Sequence, residues 1–280
     1  MGTVSVINLT SRTVTATIPV DRLPQKVAIN RDGRLAYVTN TCGIDPLCGA
    51  RATVSVIDIS AHTVIDSIPV GRFANSGIVI APDGHFVYVP NFDKPSMSQV
   101  VSVIDTASNT VTATIPDGRA ASLTSIAITP DGAFLYVADY GSAVSVIDIA
   151  SRTVTGTISQ AGNGGIAFTS DGKFAYIAGG IGSSAVSLID TATRTRTNRI
   201  GVGEGPFDVA IASAVPPSCA GDCDGDGAVT VNELVTGVNI ALDLLSVFIC
   251  PALDTNHDGA VTIDEILTAV QDALNGCPAL

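Results

Sequence analysis

Tryptophan is absent from the 280 residues, and aromatic side chains make up only 5% of them. That leaves few of the flat surfaces on which sugars and nucleobases stack. Histidine is almost missing too. Residues 1–214 hold His62 and His85, each in a turn pattern, so haem or copper chemistry lacks its ligands. The same stretch contains one glutamate, Glu204, which leaves no evident carboxylate pair for glycoside hydrolysis. No Gly-x-Ser-x-Gly elbow marks a nucleophile. No apolar run is long enough to cross a bilayer, and Met1-Gly2 leads straight into strand pattern without a signal-like segment.

Basic residues are unevenly missing. All 14 Lys and Arg lie in residues 1–214, against 16 acids, whereas residues 215–280 hold ten acids and no Lys or Arg. No basic patch can neutralise phosphates, which argues against nucleic acid as a partner. A folded segment with ten carboxylates and no cation of its own repels itself unless metal ions bind.

What is abundant is Val, Thr, Ile and Gly in a repeating order. "TVSVINLTSRTVTATIPV" at residue 3 returns as "TVSVIDISAHTVIDSIPV", "VVSVIDTASNTVTATIPD", "AVSVIDIASRTVTGTISQ" and "AVSLIDTATRTRTNRIGV". Between them lie "VAINRDGRLAYVTN", "IVIAPDGHFVYVPN", "IAITPDGAFLYVAD" and "IAFTSDGKFAYIAG". A period of about 40 to 50 residues is that of propeller blades and other stacked units. Each unit reads as four short strands, with an Asp-Gly turn inside the first hairpin and a four-residue turn inside the second. Asn8, Asp58, Asp105, Asp148 and Asp190 recur at a strand end, where an Asx turn explains them better than catalysis. Tyr37, Tyr88, Tyr136 and Tyr176 share one repeat position and read as packing residues.

This wording resembles the YVTN family of β-propeller repeats of bacterial and archaeal surface and secreted proteins, over about residues 3–212. The resemblance implies a propeller; periodicity alone leaves a solenoid open. Counting "FDVAIAS" at residues 207–213 as a last first-strand gives 19 strands, one short of five blades. The family more often has seven blades, which would make this chain a fragment lacking blades and a signal peptide. Variable loops gather on one face, where a ligand would meet Asp45, Arg51, Phe92, Lys94 and Tyr140.

Pro216-Pro217 marks a boundary: residues 1–214 form the repeat region, 215–221 a linker and 222–280 a second module. There "DCDGDGAVTVNE" and "DTNHDGAVTIDE" both satisfy D-x-[DN]-x-[DN]-G-x₅-E, 32 residues apart. Calcium takes six to eight oxygens from such a loop. Loop one offers Asp222, Asp224, Asp226, the Ala228 carbonyl, Thr230 and Glu233. Loop two offers Asp254, Asn256, Asp258, the Ala260 carbonyl, Thr262 and Glu265. A twelfth-position Glu favours calcium over magnesium, so two calcium ions are expected. Val229 and Val261 at position eight can pair across the loops as a two-residue β bridge. Apolar residues Leu234, Val235, Val238, Ala241 and Leu242 recur at +32 as Ile266, Leu267, Val270, Ala273 and Leu274, giving one helix after each loop.

No helix pattern precedes loop one. The duplicated loop-helix unit resembles a dockerin, which implies docking to a cohesin-like partner outside the cell. It departs from cellulosomal dockerins in Glu at position 12 and in Val231-Asn232 and Ile263-Asp264 at positions 10–11. Six cysteines, Cys42, Cys48, Cys219, Cys223, Cys250 and Cys277, suit disulfides in an oxidising compartment. Cys42 and Cys48 can close a short loop; the other four leave three pairings open, with zinc as a competitor. The leading expectation is a secreted or surface-attached, non-catalytic binding or assembly protein. The alternatives are a propeller hydrolase or lyase carried into an extracellular complex, and an intracellular calcium sensor.

Overall fold

The computed structural model describes residues 1–41, 52–74, 76–93, 96, 98–118, 122–211, 219–242, 244–256 and 259–277. Cys42, Asp45, Cys48, Arg51, Lys94 and Asp258 lie outside the described residues. The chain divides into two compact units, Met1–Ile211 and Ala212–Leu280.

The first unit is all antiparallel β. Its strands are β1 (Gly2–Asn8) and β2 (Thr13–Val20), then four sheets of four. These are β3–β6 (Pro24–Ile29, Leu35–Asn40, Thr53–Asp58, Thr63–Pro69) and β7–β10 (Val79–Ile80, Phe86–Asp93, Ser98–Asp105, Thr110–Pro116). Then come β11–β14 (Leu123–Ile128, Phe134–Asp139, Val144–Asp148, Thr153–Ile158) and β15–β18 (Ile166–Phe168, Phe174–Ala178, Ala185–Asp190, Thr195–Gly201). Within each sheet the strands pair in sequence order. Between sheets, the first strands β3, β7, β11 and β15 touch in series, and so do the last strands β2, β6, β10 and β14. Successive sheets are therefore stacked side by side as propeller blades, with first strands inside and last strands outside.

The repeat explains each joint. In the first hairpin of each four-stranded sheet, Gly33, Gly84, Gly132 and Gly172 sit at positive φ, a conformation that costs glycine nothing. In the second hairpin, the Asx position accepts the amide three residues on: Asn8 from Ser11, Asp58 from Ala61, Asp105 from Ser108, Asp148 from Ser151 and Asp190 from Thr193. These bonds hold the four aspartates below the usual carboxylate value and leave them no evident catalytic part. The turn then passes through a left-handed residue, and the register slips by one in all five hairpins.

Packing between blades falls to the tyrosines and β-branched residues. Tyr37 joins Val54 and Val56 of its own sheet to Val87, Val89 and Ile104 of the next. Tyr136 meets Phe168 of the next blade edge-to-face, ring centroids 5.0 Å apart. An Asn late in the second strand is buried in two sheets: Asn40 Nδ2 donates to Val38 O and Ser55 Oγ, and Asn91 Nδ2 to Val89 O and Ser102 Oγ. It stitches the second strand to the third inside the sheet, where an unpaired amide would be costly.

One expectation fails. Residues 206–211 are described but form no strand, so the unit has 18 strands among the described residues, and β1–β2 remains a two-stranded sheet. A strand exists only through a partner's hydrogen bonds, and among the described residues no second strand lies beside this segment to supply them.

The second unit holds α1 (Val231–Ala241) and α2 (Ile263–Asn275) with two single-turn 3-10 helices between them. Ala220, Ile240, Leu253, Val261 and Ala269 form its small core, with Leu234 and Ile266 packed against it. So small a core needs covalent help. Disulfides join Cys219 to Cys277 and Cys223 to Cys250, which selects one of the three pairings and leaves these thiols no zinc to bind. Their sequence separations of 58 and 27 residues correspond to roughly 4 and 3.5 kcal/mol of loop-closure entropy taken singly. Among the described residues no β bridge joins Val229 and Val261; Val261 is spent in the core instead. No helix among the described residues is long and apolar enough to cross a membrane.

Candidate functional site

Chemistry-bearing side chains concentrate in two places, one in each unit. In the second unit the chain curls from Asp222 into α1 through turns that only glycine accommodates cheaply: Gly227 has φ +88° and its counterpart Gly259 +89°. The Asp222 carboxylate organises the curl, accepting from Gly225 N at 2.7 Å and from Gly227 N at 2.9 Å. Asp254 takes the Gly259 amide in loop two, also at 2.9 Å. The result brings Asp222, Asp224 and Asp226 together, with one ligand oxygen of each within 4.8 Å of the others. Three carboxylates at that spacing form an oxygen-only donor set, which fits a hard divalent cation.

Glu233 is placed differently from the aspartates and is not part of that cluster. Its Oε1 accepts from Cys223 N at 2.7 Å and Asp224 N at 3.3 Å. Its Oε2 accepts from Thr230 N at 2.7 Å and the Thr230 hydroxyl at 2.8 Å. Burial alone would raise this carboxyl, but the bonds from Thr230, Cys223 and Asp224 outweigh it and hold the group below its ordinary value. Glu265 repeats the arrangement, taking Thr255 N, Asn256 N, Thr262 N and the hydroxyls of Thr255 and Thr262. In both loops the glutamate is a hub that fastens the start of the loop to the helix cap. Thr230 and Thr262 are engaged with that hub, and Ala228 donates its amide to Asp226 Oδ1.

Both helices also expose apolar side chains in one pattern. Val231, Val235, Val238 and Leu242 run along α1 and its cap at i, i+4, i+7, i+11, and all four are exposed. Ile263, Leu267, Val270 and Leu274 repeat this on α2, with only Val270 half-buried. The stripe expected from sequence thus faces two ways: Leu234, Ala241 and Ile266 pack against the core, Val270 and Ala273 are half-buried, and Val235, Val238, Leu242, Leu267 and Leu274 are exposed.

In the first unit a cavity of about 480 Å³ opens on the face where the first strands begin. Lys26, Gln99, Ser125 and Asp208 give it polar groups, and Phe73, Tyr140 and Phe207 line it with rings. Phe73 is a bulky residue at φ +56°, a strained conformation of the kind that concentrates at binding sites. Of the five ligand candidates read from sequence, Tyr140 lines this cavity; Phe92 is half-buried and pairs its backbone with Arg72. The remaining three lie outside the described residues. Sequence reading missed Lys26 and Asp208, although the signal was there. "LPQKVAI" at 23–29 aligns with "GPFDVAI" at 205–211, placing opposite charges at one repeat position.

No protein-family model matches the chain, and no curated protein does. Among solved structures, a chain of Kuenenia stuttgartiensis hydrazine synthase matches with a TM-score of 0.51 at 21% identity. The match covers 74% of this chain and 82% of that one. At this identity the likeness is one of fold, and it agrees with the propeller-like stacking of the first unit.

Proposed function

We propose that this chain is a non-catalytic binding and assembly protein that works outside the cytoplasm: a YVTN-type propeller carrying a dockerin-like module that binds two calcium ions. The observation that carries the reading is the clustering of Asp222, Asp224 and Asp226 in a unit without Lys or Arg. A bound calcium would neutralise that cluster and be held by those carboxylates, with the Asp254–Glu265 loop as the second site. Glu233 and Glu265 set the loop shape. The paired disulfides suit an oxidising compartment.

Docking falls to the duplicated apolar stripes of α1 and α2, which soluble monomers seldom leave uncovered. Residues 215–280 carry ten acids and no Lys or Arg, so a cohesin-like or other surface partner would present apolar pockets rimmed by Lys or Arg. A hydrolase or lyase gains no support from the propeller cavity, whose described lining carries one Lys, one Asp and no His or Glu. Titration calorimetry of the whole chain with calcium is the test. Two sites are expected, and Asp222→Ala/Asp224→Ala should remove one of them. Absence of calcium heat in the unmutated chain sinks the reading.

A further inference from the structure

Exposed aromatic rings are rare on this chain, and they are not scattered. Among the described side chains only three rings stand well open to solvent: Phe73 at 40%, Tyr140 at 66% and Phe207 at 68%. All three line the cavity of about 480 Å³ in the first unit. A concave surface that gathers every open ring of a ring-poor chain offers apolar area where a ligand can use it. Each ring also stands on fixed backbone. Arg72, next to Phe73, exchanges two amide bonds of 2.7 Å with Phe92; Tyr140 N donates to Ser122 O at 3.0 Å. The Phe207 carbonyl accepts from Gly165 N at 2.8 Å. Rings placed before a ligand arrives cost it less ordering entropy.

Alongside the rings lie polar groups that the fold leaves unused. The side-chain amides of Gln99 and Asn163 belong to half-buried residues of the lining, and neither has a hydrogen-bond partner among the described residues. Glycine makes the room: a Cβ on Gly180, at φ +73°, would strike the Asn163 amide oxygen, and one on Gly165 the Asp208 carboxylate. Each amide sets a donor beside an acceptor, a pattern that two neighbouring hydroxyl groups can answer. Lys26 and Asp208 bring one charge of each sign, so the described lining carries no excess with which to select an anion or a cation. That disfavours phosphates and quaternary ammonium groups. Every lining residue lies on the run from β3 to residue 208, and none belongs to β1 or β2.

We propose that this cavity is a carbohydrate site that takes a neutral saccharide of one or two rings. A sugar ring has an apolar C–H face to lay against Phe73, Tyr140 or Phe207, and a rim of hydroxyls to pair with Gln99 and Asn163. The cavity falls within the roughly 300–1,000 Å³ that small-molecule sites span. The site acts by binding alone, since the described lining holds one carboxylate and hydrolysis of a glycosidic bond takes a pair. It gives the propeller a ligand of its own and does not depend on the calcium reading.

The test titrates the whole chain, in chelator, with maltose, cellobiose, lactose and chitobiose, read by calorimetry and by quenching of tyrosine emission. Tyr140 is the exposed tyrosine, and the chain has no Trp to mask it. Saturable one-to-one binding of at least one disaccharide is expected, with the same affinity once calcium is added back. Tyr140→Ala and Phe207→Ala should each weaken it about tenfold, and so should Gln99→Ala/Asn163→Ala. The ring variants should melt like the unmutated chain, because both rings are already exposed. Ile65→Ala, exposed but outside the lining, should bind as before. No disaccharide binding up to the solubility limit overturns the proposal. So does unchanged binding in the ring or amide variants, or tighter binding of choline or adenosine than of every sugar. A chain that binds sugar but no calcium refutes the calcium reading and not this one.

Discussion

Replacing Glu233 by alanine separates a loop built to fold by itself from one that needs a cation. The side chain accepts three short hydrogen bonds, from Cys223 N, Thr230 N and Thr230 Oγ, at 2.7 to 2.8 Å, and a longer one from Asp224 N. Bonds to a charged acceptor contribute about 1.5–3 kcal/mol each, but water can reach part of this loop once the side chain is gone. The expected net loss is therefore about 3 kcal/mol, measured in chelator. In a domain of this size each kcal/mol moves the midpoint by about 4–8 °C, so the second unit should melt roughly 12–24 °C lower. Composition provides the assay. All five tyrosines lie in the first unit, at 37, 88, 136, 140 and 176, and both α-helices lie in the second. Helical circular dichroism at 222 nm thus follows the second unit, and near-ultraviolet tyrosine signals follow the first. A shift in the helical transition alone is expected. If Glu233→Ala melts like Glu204→Ala in chelator, the glutamate hub does not hold the loop.

Three further outcomes are expected. Asn91→Ala strands the hydroxyl of Ser102 and the carbonyl of Val89 inside the second four-stranded blade, which should cost about 1–3 kcal/mol in denaturant unfolding followed by tyrosine. His62 holds φ +52° where the next blade has Asn109 at +51°; His62→Asn should therefore stabilise the first unit by about 0.5–1 kcal/mol in the same assay. Asp171 is held at about pKa 2 by the Thr169 hydroxyl first, then by the amide and ammonium of Lys173. Because its folded value lies below the ordinary 3.8 of an aspartate, the stabilisation it adds is complete above that pH and is lost as pH falls toward 2. Carboxyl NMR should place its midpoint near 2, and Thr169→Val should raise it.

The sequence by itself determined whatever depends on short-range order. The repeated Asx and glycine turns and the two acidic loops are each written within a dozen residues, and the four-strand unit and its tyrosine position are legible because that local order returns every 40 to 50 residues. Local hydrogen bonds and the alternation of a half-buried strand need no more than that. Only the tertiary structure decided matters that turn on what stands beside a segment. Residues 205–211 and 23–29 read almost alike, yet only the second pairs into a sheet, because strand formation needs a neighbour's backbone. Glu233 reads as a metal ligand by position, yet its oxygens point at amides brought round by the loop's own curvature. The cysteine pairing and the division of the helix stripe into core and exposed faces likewise follow from distances that no local pattern records.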